Sequence, residues 1–265
     1  MEPDEIQRRI AAFPRWMYRF EFDNGVSTQV PDRGMVNRQE QRRRYFFEPL
    51  IGLAGGSLAG RRVLDLGCNA GFWSLEAIEA GADFVLGVDA QRDSVEQAKL
   101  VFEAKDIDPA RYRFEPGDIF EHDFREPFDV VLCLGLMEHI AKPLELFELI
   151  AGVGAQIVVV DTEVSRSRAS LFEVDWSRSG PDTQIVLIPS RAALMELAGQ
   201  YGFATVPLGH EISDFAGMGD YKHQRRLAFV CAKDASLGTL PIERRTPILP
   251  WWLTAWRPRR RSLAG

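Results

Sequence analysis

Hydrophobic and polar positions alternate along this chain between short apolar runs and longer stretches of helical spacing. Apolar runs at 63–66 (VLDL), 84–89 (FVLGVD), 130–134 (VVLCL) and 157–160 (IVVV) have the length and β-branching of strands. Weaker runs at 111–116, 203–208 and 227–233 complete a set of seven. Val95, Ala98 and Phe102 recur on one face between the second and third runs, and Asp93 with Glu96 reads as a capping box for that helix. Pro143 suits the first turn of a further helix, and a last one runs from its cap at Ser190 to Tyr201, stopped by Gly202. Strands alternating with helices predict a mostly parallel sheet covered on both faces. The uninterrupted run Val130–Leu132 fits a strand buried on both sides.

The flanking segments read differently. Residues 1–12 suggest a short polar helix with Ile6 and Ile10 on one face. Trp16, Tyr18, Phe20 and Phe22 then alternate with period 2, Asn24-Gly25 is a turn signal, and Val26, Thr28 and Val30 form a return strand. That hairpin either packs on the domain edge or closes as a cap over a ligand. Residues 33–44 carry Arg33, Arg38, Arg42, Arg43 and Arg44 against Glu40 alone, a solvated helix face or a receiver for an anion. Phe46, Phe47, Leu50 and Ile51 follow as an apolar face, ended by Gly55-Gly56. The expected layout is a cap at 1–60, a core domain at 61–235 complete by about Lys233, and a tail at 236–265. Connections at 163–189 and 208–226 are long enough to be functional or mobile loops.

Chemistry concentrates at residues 63–74, VLDLGCNAGFWS: a strand, a glycine turn and the opening of a helix. Glycines there let backbone approach a ligand, and the helix start offers free N–H groups. A dinucleotide fingerprint would place glycines where Asn69 and Phe72 stand, and Asp65 would repel a pyrophosphate while suiting a cation. Asp89 closes the second strand about 20 residues past the turn, the place of a two-oxygen acceptor for ribose hydroxyls. The rival reading is a tight strand-to-helix turn with no ligand.

Composition narrows the class. The 265 residues, 46% hydrophobic and 26% charged, suit one large α/β domain. A net charge of −6 argues against a whole-surface nucleic-acid binder. Cys68, Cys133 and Cys231 suggest no disulfide framework, which points to a cytoplasmic protein, and the charged N-terminus does not read as a signal peptide. Residues 244–261 hold six arginines, three tryptophans and no acid. Such a segment is disordered, folds back on the domain, lies on an anionic membrane surface, or touches nucleic acid.

The pattern D-x-G-x-x-x-G of Asp65, Gly67 and Gly71, followed by VLGVD and LGLMEHIAKPLELFELI, resembles the class I S-adenosylmethionine-dependent methyltransferases. Within them it is similar to the branch containing the tRNA wobble-uridine carboxymethyltransferase, and WMYRFEFDNGVST at 16–28 looks like the segment before the core in that branch. The resemblance implies a doubly wound, Rossmann-like α/β fold with a seven-stranded, mostly parallel sheet, helices on both faces and an N-terminal cap. It also implies S-adenosyl-L-methionine as cofactor, with Asp65, Gly67, Asn69 and Gly71 at its methionine end and Asp89 on the ribose. Asp118 and Ile119 fall on the adenine, and Leu134 and Gly135 line the site. Glu138 stands where the branch commonly has a tyrosine. A carboxylated cofactor would meet its like charge, so the ordinary cofactor is expected.

Transfer to a hydroxyl or amine calls for a base. His139 is the first candidate and Glu138 the second; Asp161, Glu163 and His210 rank below them. The plainer readings are that His139 packs under its loop on backbone hydrogen bonds and that Glu138 is exposed. No histidine spacing suggests a metal. The expected activity is methylation of O or N on a small molecule or glycan precursor. The rivals are a tRNA-modifying enzyme, with the basic clusters as its footprint, and a non-catalytic scaffold that retains the fold.

Overall fold

A computed structural model describes residues 1–23, 25–177, 184–209, 212–233 and 236–242. In chain order the elements are α1 (Pro3–Ala11), α2 (Arg33–Arg42), a π-helical turn Arg43–Phe47, and α3 (Glu48–Leu53). The core follows with β1 (Arg62–Leu66), α4 (Phe72–Glu79), β2 (Phe84–Asp89), α5 (Arg92–Ala104), β3 (Tyr112–Pro116), β4 (Val130–Leu134), α6 (Pro143–Gly152) and β5 (Ile157–Glu163). Then come β6 (Phe172–Ser177), β7 (Gln184–Pro189), α7 (Arg191–Gln200), β8 (Ala204–Pro207), α8 (Gly219–Lys222) and β9 (Arg226–Ala232).

Seven strands form one sheet in the order β3-β2-β1-β4-β5-β9-β8, with β9 antiparallel to both neighbours and the rest parallel, as expected. Period-2 alternation sends adjacent residues to opposite layers. Val63, Val130, Leu132 and Val159 face the layer of α4, α5 and the N-terminal segment. Leu64, Leu66, Val131, Cys133 and Val158 face α6 and α7. Strand order reverses between β1 and β4, so a crevice opens between their carboxyl ends. The register Leu66↔Cys133 sets the loop after β1 beside the exit of β4.

Four expectations need correcting. The hairpin within residues 13–30 is shorter than the two strands expected: it holds the bridge Glu21↔Ser27, with Phe22 N donating to Val26 O at 2.9 Å and Thr28 N to Phe20 O at 3.0 Å. Thr28 Oγ1 accepts from Phe20 N at 2.8 Å and donates to Tyr18 O at 2.9 Å, so side-chain bonds add to this short backbone ladder. The buried Trp16, Phe20 and Phe22 join the core cluster that holds Val63. Helix α5 starts from Gln91 with no side-chain cap, so Asp93 and Glu96 are not a capping box. The connection 163–189 contains the antiparallel pair β6–β7, whose Val174, Trp176 and Ile185 are exposed. Lastly, the core runs past Lys233: Leu237 and Leu240 are buried, and Ile242 bridges to Leu208. The Arg/Trp tail from 243 onward and His210 lie outside the described residues. Among the described residues no helix is long and apolar enough to cross a membrane.

Candidate active site

The loop after β1 is built from backbone. Gly67, Asn69 and Gly71 all have positive φ, at 70°, 49° and 75°, which glycine adopts freely and asparagine more readily than other side chains. Space also demands glycine. A Cβ on Gly67 would stand 3.1 Å from Leu136 Cδ1, and one on Gly71 3.0 Å from Ala98 Cβ. The amides of Gly67 and Cys68 donate to Val88 O, at 2.8 and 3.2 Å, tying the loop to β2. Gly87 in β2 lets the strands close: its Cβ would meet Phe114 at 2.6 Å and Cys68 Sγ at 2.9 Å.

Asp89 stands opposite the loop. Its Oδ2 accepts from Asn69 N and its Oδ1 from Gln91 N, both at 2.8 Å. Burial pushes its carboxyl above the ordinary value, and the two amides partly offset that. A carboxylate has about four acceptor sites, so two stay open for hydroxyl donors. Asp65 is 1% exposed and accepts from Ser74 Oγ at 2.7 Å, which ties β1 to α4. Burial drives its pKa up to about 7, against the pull of Ser74 and with a push from Asp89.

Further along the crevice, Asp118 is exposed with Oδ1 on Phe120 N at 2.9 Å, while Ile119 is buried among the residues of the second core layer. Leu134 ends β4. Gly135, at φ 80°, donates its amide to Asp161 O at 2.8 Å, and Leu136 packs over Gly67. On the other side Tyr18 stacks on Phe72, the first residue of α4, with centroids 5.0 Å apart and rings 6° from parallel. Trp73 Nε1 donates to Tyr18 Oη at 3.2 Å. The N-terminal segment therefore reaches the start of α4, beside the glycine loop.

Glu138 and His139 share a 3₁₀ turn after β4. His139 is half-buried, with its amide on Leu136 O at 2.9 Å. Glu138 departs from the expectation of an exposed carboxylate. It is buried and ion-paired with Arg226 through Oε1, and its Oε2 accepts from Thr162 Oγ1 at 3.0 Å. Burial alone would raise its pKa, but Arg226, a backbone donor and His139 outweigh that and hold it below the ordinary value. A carboxylate held down in this way is a poor proton acceptor. Arg226 also neutralises the charge that argued against a carboxylated cofactor, so that argument loses its force.

Arg226 opens onto a larger cluster. Its Nε donates to Asp220 Oδ2 at 2.9 Å and its Nη1 lies 3.5 Å from Asp161 Oδ2. Arg42 Nη2 donates to Asp161 at 2.7 Å, Tyr221 Oη donates to the same carboxylate at 2.8 Å, and Arg38 forms a bidentate pair with Asp220 at 2.7 Å. Three arginines meet three acids, so the cluster is neutral as a whole. The arginine run of 33–44 is thus divided. Arg38 and Arg42 hold the core, Arg43 pairs with Glu76 at 2.7 Å, and Arg33 and Arg44 face solvent. Asp161, a minor base candidate in the sequence, is fully committed here, and Glu163 lies at the end of β5, where it pairs across to Arg226.

Sequence reasoning passed over Gly87, Ser74, Thr162, Tyr221 and Arg226. Arginine and tyrosine in the 208–226 connection gave no periodic signal, and their acidic partners lie at the ends of β4 and β5. Among the described residues no group of three or more His, Cys, Asp or Glu is placed to hold a metal.

Comparison with known proteins bears on this geometry. Residues 57–171 match the family model described as a methyltransferase domain. The N-terminal domain of EvdMO1, solved with SAH, superposes with a TM-score of 0.67 at 23% identity, covering 88% of this chain and 97% of that one. The fold is that of the class I methyltransferases. Magnesium protoporphyrin IX methyltransferase of Synechocystis, solved with SAM, shares it at a TM-score of 0.57 and 16% identity, covering 87% and 91% of the two chains. In sequence, the ubiquinone biosynthesis O-methyltransferase of Psychrobacter cryohalolentis is 32% identical over 122 residues, 44% of this chain and 46% of the relative. That of Acinetobacter baylyi is 32% identical over 93 residues, 35% of this chain and 39% of the relative. The chain therefore spans less than half the length of these curated relatives.

Proposed function

We propose that this chain is an S-adenosyl-L-methionine-dependent methyltransferase acting on O or N of a small molecule or glycan precursor. The observation that carries the reading is the pairing of a left-handed, Cβ-free loop at Gly67–Gly71 with Asp89, whose two oxygens each keep an acceptor site after binding Asn69 N and Gln91 N. A scaffold would need neither feature. The residues present fit the cofactor: Gly67, Asn69 and Gly71 border its methionine end, Asp89 receives the ribose hydroxyls, Asp118 and Ile119 flank the adenine, and Leu134 and Gly135 form the wall. When bound, the cofactor supplies a methyl group on a positively charged sulfur. The chain's own contribution is alignment at the crevice, exclusion of water by Tyr18, Phe72 and Leu136, and a base at His139 for the acceptor's proton.

The small-molecule assignment draws on relatives named for ubiquinone biosynthesis and on neighbours solved with D-fucose or 1,6-didemethyltoxoflavin. The tRNA reading weakens because Arg38, Arg42 and Arg43 are spent on Asp220, Asp161 and Glu76 and so offer less to phosphates. A cytoplasmic setting, in keeping with three free buried cysteines, belongs to the same proposal. Membrane contact by the tail is a separate one: the full chain should float with anionic vesicles, and a chain ending at Ile242 should not.

Calorimetry tests the central reading. S-adenosylmethionine and S-adenosylhomocysteine should each bind at one site per chain, and binding of NAD in their place would overturn the assignment. Methyl transfer to a panel of phenols, sugars and amines should fall with His139→Gln while cofactor affinity stays level.

A further inference from the structure

Every acid of the cluster beside β5 has an arginine: Glu138 has Arg226, Asp161 has Arg42 and Arg226, and Asp220 has Arg38 and Arg226. Asp65, where β1 leads into the glycine loop, has none. It is buried, and its neighbours in register, Gly87 of β2 and Leu132 of β4, cannot answer a charge. Its donors both come from Ser74 of α4, the hydroxyl at 2.7 Å and the backbone amide. The titratable groups that act with it are Asp89, which closes β2, and Cys68 in the loop. One is a carboxylate and the other a thiol held well above its ordinary range, so neither compensates an anion at Asp65. The elements packed over the loop bring Ala98 of α5 and Leu136 after β4, both apolar, and Tyr18 of the N-terminal segment, whose hydroxyl is bound by Trp73. Among the described residues no lysine, arginine or histidine forms an ion pair with Asp65.

A carboxylate taken out of water with two neutral donors and no counter-ion is costly, and a proton is the simplest partner it can take. We propose that Asp65 is held as the neutral acid in the ligand-free protein and yields its proton when the ammonium of the cofactor's methionine end enters the loop beside it. That cation is supplied by the methyl-transfer reading, on which the inference rests. The incoming ammonium keeps its own proton, Asp65 releases one to the solvent, and the buried site gains the counter-ion it lacks. With the carboxyl titrating at about 7 in the free protein, the exchange operates from neutral pH downward. Linkage then requires affinity for the cofactor to fall as pH drops below 7, by about tenfold per pH unit once the acid form dominates. Ser74 and Asp89 oppose each other here: the hydroxyl favours the anion and the neighbouring carboxylate favours the acid. A ligand with the same nucleoside and no ammonium brings no such exchange, which makes Asp65 a selector for the amino-acid end of the cofactor.

The test is calorimetry of S-adenosylhomocysteine binding to the full chain at pH 6 and pH 8, in buffers of different ionisation enthalpy, so that protons released per site are counted. Wild type should release about 0.9 proton at pH 6 and about 0.1 at pH 8. Methylthioadenosine keeps the ribose that Asp89 receives and lacks the ammonium, so it should release less than about 0.2 at either pH. Asp65→Asn, neutral and of the same shape, should bind S-adenosylhomocysteine with no release at pH 6. Ser74→Ala guards against a variant that fails to fold: it keeps the carboxyl, removes the hydroxyl donor, and should extend the release to pH 8. Wild type that binds S-adenosylhomocysteine at pH 6 without releasing a proton would overturn the proposal. So would equal release with methylthioadenosine or in folded Asp65→Asn, or an unmoved pH range in folded Ser74→Ala. Should wild type bind S-adenosylhomocysteine at neither pH, the methyltransferase reading itself falls; the other failures all begin with bound ligand and leave that reading standing.

Discussion

The glycine loop after β1 and the ionic cluster beside β5 lie on the same edge of the sheet and are made of different material. The loop is one short run of chain whose working groups are amides and whose constraint is φ: Gly67, Asn69 and Gly71 in the left-handed region. The cluster gathers side chains from α2, the turn after β4, β5, α8 and β9, and its constraint is charge balance. Loop residues act singly, so each change should be felt in ligand binding. Cluster residues act as a group, because a buried charge that loses its partner keeps its desolvation cost.

Removing one cluster member gives the largest expected effect. Arg42→Met leaves Asp161 buried beside Tyr221 with Arg226 alone, and should cost about 3–5 kcal/mol in denaturant unfolding. A loss below 1 kcal/mol would show that the cluster does not behave as a unit. Next comes Asp65, with the opposite sign. Its folded pKa of about 7 lies above the ordinary aspartate value of 3.8. Its contribution is therefore intact below about pH 4 and is lost as pH rises through 7, on the order of 4 kcal/mol. Asp65→Asn should raise the Tm of the ligand-free protein at pH 8 and leave it nearly unchanged at pH 4; equal melting of the two proteins at both pH values would refute this.

Asp89→Ala comes third, weakening S-adenosylmethionine binding by about 1.5–3 kcal/mol in calorimetry, the range for losing a charged acceptor. Unchanged affinity would mean that the ribose is held elsewhere. The smallest change is Arg43→Gln, one residue from Arg42. Arg43 is half exposed on Glu76, and its loss should cost less than about 1 kcal/mol and shrink further in salt. Equal effects at positions 42 and 43 would erase the contrast between a buried and an exposed arginine.

Legibility followed the same division. Strands β1 to β5, the glycine loop and Asp89 could be read because period-2 runs, glycine and a strand-terminal acid are local signals. The two arms of residues 13–30 pair over a shorter span than their pattern suggests: the alternation of Trp16, Phe20 and Phe22 reports a buried face, and Thr28 adds side-chain bonds to a short backbone ladder. Asp93 and Glu96 have capping-box spacing, yet the helix start sits at Arg92. The pair β6–β7 was missed because Phe172–Ser177 mixes acids with exposed apolar residues.

By itself the sequence determined that this chain builds a mostly parallel sheet with a glycine turn at Gly67–Gly71, since those choices depend on backbone conformation within a few residues. Only the tertiary structure decided that Glu138 is a buried, ionised partner of Arg226 and that Arg42 leaves the arginine run to neutralise Asp161. The reason is physical. Burial and pairing of a charge are properties of what surrounds it, and here the surroundings come from strand order: β9 lies beside β5, and α2 and the 208–226 connection pack together over their ends.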